Sequence, residues 1–204
     1  MRSLYSTHSN LIIGFHGCDK QLAEQVVEGK TDLKPSENDY DWLGNGIYFW
    51  ENNYDRALSW AEERAKRSGQ LMVPSVLGAV IDLGYCLDLM DNANLVAVKT
   101  AHEALVEAFR RKGIPLPKNK NIGKSKDLLL RKLDCAVIQT AHELSLASDN
   151  RQYDSVRSMF TEGDKLYENS GFASKNHIQI CVCNPNCIKG YFLPRKINNQ
   201  YPLP

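Results

Sequence analysis

The sequence predicts an α+β fold in a single domain. Strand-like apolar runs recur along the chain but do not alternate regularly with helices, which disfavours a doubly wound parallel sheet. The length of 204 residues suits one domain, and 43% hydrophobic with 24% charged residues is the composition of a packed globular chain. There is no internal repeat and no low-complexity segment. No apolar run approaches the roughly 20 residues that a membrane helix requires. The opening "MRSLYSTHSN" has no apolar stretch of the secretory kind. Six cysteines, three of them scattered at Cys18, Cys86 and Cys135, read as reduced thiols in a cytoplasmic protein.

The elements follow in order. "NLIIGFHG", ending at Gly17, is a short apolar run and predicts a buried strand. Asp19 stands as N-cap to a helix whose Leu22, Val26 and Val27 share a face and whose end is Gly29. A polar loop passes through Lys34, Pro35 and Ser36 to "GIYFW", which is rich in residues that fit a pleated surface. From Asn53, the spacing of Tyr54, Ala57, Leu58, Ala61 and Ala65 predicts a helix closed by Gly69. "SVLGAVIDL" and "CLDLM" predict consecutive strands joined at Gly84. Two helices follow, one facing the core with Leu95, Val98, His102, Leu105 and Phe109. The other uses Leu130, Leu133, Val137, Ala141 and Leu144. The segment from Tyr153 to Asn176 has loop composition, and strands return at "HIQICV" and "IKGYFLP". The folded core spans about 10–194, with 195–204 a loose tail.

Net charge is +1, so the chain as a whole is no polyanion binder. Its charge is nevertheless uneven: eleven acids face four bases between Asp19 and Glu63, and nine bases face one acid between Arg110 and Lys132. The basic segment is either a solvated interhelical loop or a surface for a phosphate backbone or an acidic partner.

His16 lies at the end of the first strand, a place usually held by structural histidines. The glycine after it allows close backbone approach. Tyr48 follows Gly44 and Gly46, and alternation sets Tyr48 and Trp50 on one face with Ile47 and Phe49 on the other. "FHG" on one strand and "GNGIYF" about thirty residues later, with a helix between, resemble the ADP-ribosyltransferase fold. The similarity is to its diphtheria-toxin and poly(ADP-ribose) polymerase class, marked by a His-Tyr-Glu/Asp/Gln triad on three strands. It runs from Leu11 to Ala61, resumes from Tyr153 to Phe192, and extends to small bacterial members of that class.

The resemblance implies split antiparallel sheets with flanking helices, and transfer of ADP-ribose from NAD to a macromolecular acceptor, protein or nucleic acid, with release of nicotinamide. His16 is then expected to hold the adenosine-side ribose and Gly17 to pair through its backbone with the nicotinamide amide. Tyr48 is expected to stack on the nicotinamide ring, with Gly46 leading into the pocket. The third member falls on "NHIQICV", where Gln179 and His177 share a face, and Gln179 is the residue type the triad permits. A neutral amide orients a ribose hydroxyl but offers no charge to a developing cation, so single-unit transfer is expected rather than chain growth. Glu51, Glu162 and Glu168 stand as alternative carboxylates, and Arg157 either meets the pyrophosphate or lies on the surface. Small bacterial proteins of this kind are often toxins, which implies a neutralising antitoxin partner or a defence role against phage. An inactive NAD-binding module and an NAD glycohydrolase are the competing readings. No G-x-G-x-x-G loop supports hydride transfer. Cys181, Cys183 and Cys187 lack zinc-site spacing, and His102 and His142 form no H-E-x-x-H, so no metal is expected.

Overall fold

The computed structural model describes residues 11–69, 72–121 and 128–202. Strand β1 is Ile12–Asp19 and helix α1 is Lys20–Val27. Asp19 caps that helix as expected, one carboxylate oxygen accepting from the Gln21 N–H and the other from the Val73 N–H. Strand β2 is Ile47–Glu51 and helix α2 is Tyr54–Ser68, capped by Asn53 and stopped by Gly69 at a positive φ of 62°. β3 (Pro74–Ile81) and β4 (Cys86–Asp88) precede α3 (Asn92–Lys112). The minimal strands β5 (Asn119–Lys120) and β6 (Leu130–Arg131) pair with each other and lead into α4 (Lys132–Asp149). β7 (Ser155–Phe160), β8 (His177–Val182) and β9 (Ile188–Phe192) complete the chain.

The architecture is α+β, built on one seven-stranded sheet in the order β4-β7-β8-β2-β1-β3-β9. Every pairing is antiparallel except that of β4 with β7. Among the described residues the expected pair of split sheets is therefore replaced by a continuous one, but its centre is thin. β1 and β3 pair over eight residues, whereas β1 and β2 share only Gly14↔Glu51 and Phe15↔Trp50. β3 and β4 are consecutive in the chain and far apart in the sheet. One face packs α1 against Phe49, Leu77, Ile81 and Ile180; the other carries α2 over Trp50 and Val76, and α3 with α4 over Val156 and Cys181.

Three further expectations need correction. β7 replaces loop where "SVRSMF" runs, because its Val156 and Phe160 enter the core while Arg157 is taken up by acids on the other face. The helix faces match the expected ones only in part. α1 buries Val26 as expected, with Ala23, and exposes Val27; α3 buries Leu105 as expected, with Ala101, and exposes Leu95; α4 buries Val137 and Ala141 as expected, with Cys135, Ile138 and His142, and exposes Leu144. For the last two, contact with each other as well as with the sheet decides which stripe is covered. The interhelical basic segment, expected as loop, contains the β5–β6 pair, with Lys124 and Lys126 outside the described residues. The tail position 195–202 has no regular structure, as expected.

Candidate functional site

The thin centre of the sheet gathers the residues that the sequence singled out. The Asn52 N–H donates to the Ile13 carbonyl at 2.9 Å, which fixes the hydrogen-bonding parity of β1. By that parity Ile13, Phe15 and Gly17 turn their N–H and C=O toward β2, and Gly14, His16 and Cys18 turn theirs toward β3. The last rung to β2 is at Phe15. The backbone groups of Gly17 thus point into the gap where the two strands part. A further rung would have used the Tyr48 carbonyl, which instead accepts from His16 Nδ1 at 2.8 Å. Burial lowers the His16 pKa, so the ring is neutral near pH 7. With Nδ1 the donor, Nε2 is an acceptor.

Both glycines are explained by packing. A Cβ on Gly17 would stand 2.2 Å from the Ala57 carbonyl oxygen of α2, and one on Gly46 would meet Cys181 Sγ and the Val182 oxygen at 2.6 Å. Close approach of a helix and of β8, rather than of a ligand, accounts for these two residues.

Tyr48 is held by its hydroxyl, which accepts from the Leu43 N–H at 3.0 Å and donates to the Gly44 carbonyl at 2.8 Å. Burial raises its pKa well above the usual value. Gln179 pairs in register with Trp50 on one side and Ser158 on the other, and its Oε1 accepts from Trp42 Nε1 at 2.7 Å. Tyr48 and Gln179 share the face of the sheet that carries Trp50. His16, next to Phe15, falls on the opposite face and joins them through the Tyr48 backbone. The three are therefore neighbours across the gap.

Arg157 lies on neither the surface nor an open pocket. Its guanidinium meets both Glu51 oxygens, one at 2.8 Å, and Asp88 at 2.9 Å, with all three side chains largely buried. Glu51 is consumed by that cluster, and Glu168 is exposed on the loop after β7. Glu162 pairs with Arg56 of α2 at 2.9 Å. Cys181, Cys183 and Cys187 form no metal cluster among the described residues, and Cys183 Sγ instead lies 3.7 Å from His142 Nε2.

Arg56 and Trp42 are site residues that the sequence did not single out. An arginine in a first helical turn and a tryptophan in a turn carry no periodic signal. Trp42 Nε1 reaches Gln179 across 137 positions of chain. A cavity of about 360 Å³ opens away from the gap, between the 37–45 loop and α4, beside Asp39, Asn45, Lys132 and Gln139.

Among the described residues no helix is long and apolar enough to cross a membrane. No family model matches the chain, and no solved structure matches it. An uncharacterized protein of Methanocaldococcus jannaschii is 27% identical over 195 residues, which cover 86% of this chain and 83% of that protein.

Proposed function

We propose that the protein is an NAD-dependent mono-ADP-ribosyltransferase with a single ADP-ribosyltransferase-like domain. One observation carries the reading: the β1–β2 ladder ends at Phe15↔Trp50, and beyond it His16 replaces a backbone rung by bonding the Tyr48 carbonyl. That substitution leaves the Gly17 N–H and C=O facing the gap, a donor and an acceptor side by side that match a carboxamide. His16 Nε2 is an acceptor suited to a ribose hydroxyl. The residues at the gap thus fit the nicotinamide and ribose ends of NAD, which supplies a glycosidic bond whose cleavage releases neutral nicotinamide. Tyr48 serves here chiefly to pin the 41–46 turn, and Gln179 orients rather than carries charge. Arg157 fits the sheet rather than a pyrophosphate, because two carboxylates already satisfy it.

Nicotinamide release from NAD, followed by chromatography, tests the reading. His16→Ala is expected to lower the rate by about 100-fold while far-ultraviolet circular dichroism is unchanged, the scale typical of losing one positioned polar group in a site. Unchanged turnover in that variant would remove the gap from the mechanism. A second reading, an NAD-binding module without turnover, is favoured by the engagement of Gln179 with Trp42. It predicts saturable NAD binding with no nicotinamide released.

A further inference from the structure

Among the described residues, the buried side-chain nitrogens and oxygens without a hydrogen-bond partner are Trp50 Nε1, Arg56 Nε and Nη1, and His177 Nε2. All four sit together. The Arg56 guanidinium carbon is 5.7 Å from the Trp50 ring centroid, and the Trp50 and His177 rings are 6.2 Å apart. The three side chains come from β2, α2 and β8 and are 4%, 8% and 6% exposed. Leaving such groups unpaired opposes folding, so their coincidence at one spot marks a place where a ligand's polar atoms belong.

The pattern specifies the ligand. Trp50 and Arg56 present N–H donors. His177 Nδ1 donates to the Lys175 carbonyl at 2.6 Å, so Nε2 is an acceptor, and burial lowers the ring's pKa and keeps it neutral. Arg56 is balanced by Glu162, and Lys175 by Glu63 at 2.9 Å. With these charges cancelled, the complement is a neutral group presenting a carbonyl oxygen beside an N–H. The surroundings are aromatic: Phe160 lies 5.4 Å from the His177 ring and 4.3 Å from Trp42, whose indole N–H holds Gln179. Arg131 of the basic segment, loosely paired with Asp134 at 3.5 Å, stacks 4.3 Å from the Phe160 ring centroid, so β6 brings that segment to the rim of this cluster. A planar lactam on a polyanionic strand fits all of these features.

We propose that this cluster receives the acceptor, a nucleobase of the lactam type in single-stranded nucleic acid, and that His177 is the base that takes its ring N–H proton. The proposal rests on the transferase reading above. Trp50 and Arg56 hold the lactam oxygen while the N–H faces His177 Nε2. As the bond between the donor ribose C1′ and nicotinamide breaks, its electron pair leaves with nicotinamide. The lactam nitrogen forms the new bond to C1′, and its proton passes to Nε2. Gln179, two residues along the same face, lies between the two halves of this reaction. The loop 161–176 covers the cluster through the Arg56–Glu162 and Lys175–Glu63 pairs, so the base enters when those pairs part.

The test uses the full chain with NAD and short single strands of dA and dC carrying one dT, one dG or neither. Strand mass, nicotinamide release and strand binding without NAD are read separately. Strands with dT or dG are expected to gain one ADP-ribose, and strands without them none. Trp50→Phe, which keeps an aromatic side chain but removes the pyrrole ring with its N–H, is expected to weaken strand binding and transfer at least tenfold. His177→Ala is expected to abolish transfer and retain nicotinamide release into water. Base-selective binding without nicotinamide release would overturn the transferase reading and leave the lactam site standing. Equal binding to all strands, or labelling of protein instead of strand in a cell extract, would overturn the lactam site.

Discussion

Cys183 differs from the other cysteines in what surrounds its sulfur. Its pKa is lowered to about 6 by hydrogen bonding with Cys181 and then by His142, whereas burial pushes Cys18 and Cys187 up to about 11 and Cys86 up to about 12. A thiolate is the reactive form, so alkylation at Cys183 should rise with pH through about 6 and level off above it. Peptide mapping after iodoacetamide treatment across a pH series checks this. In His142→Phe the midpoint should move upward, toward the ordinary thiol value. Gly17 offers a second residue-scale experiment. Gly17→Ala places a methyl 2.2 Å from the Ala57 carbonyl, and because that atom is backbone, α2 must shift. A loss of about 1–3 kcal/mol in urea denaturation is expected, typical of an overpacked contact. "HG" was legible in the sequence as a motif; that the glycine answers to a helix, with its backbone turned to the gap, was not.

At the scale of elements, helix ends were the most legible features. Asp19, Asn53, Gly29 and Gly69 act where local chemistry places them, because a cap involves only its own few neighbours. Asp19 is also a tertiary bond, since its second oxygen fixes the Val73 N–H at the entry to β3. Asp19→Ala should therefore cost about 1–2 kcal/mol, toward the upper end for a cap, and thermal unfolding measures it. β7 was hidden for the opposite reason. "SVRSMF" places a charged residue in the middle of a short strand, and only Glu51 and Asp88, 106 and 69 positions away, make burial of Arg157 tolerable.

On the scale of the whole molecule, that cluster ties together β2, β4 and β7, on one side of the thin β1–β2 junction. Removing the cation leaves two carboxylates buried beside each other. Arg157→Met is therefore expected to lose about 3–5 kcal/mol, the usual cost of breaking rather than replacing a buried ion cluster. Chemical denaturation reads this directly. Replacing Arg157, Glu51 and Asp88 together by apolar residues should recover much of the loss, because no unpaired charge then remains.

The sequence by itself determined the α+β class, most strands and helices, the helix caps, and the two stretches around His16 and Tyr48, since these depend on local periodicity, turn chemistry and motif. Tertiary structure decided what each residue is bonded to. It ended the β1–β2 ladder at Phe15, gave the Tyr48 carbonyl to His16, and enclosed Arg157 between acids. It also gathered Trp50, Arg56 and His177 with their unpaired nitrogens at one spot. Strand order and register bring together residues more than a hundred positions apart, and no local pattern encodes which of them will meet.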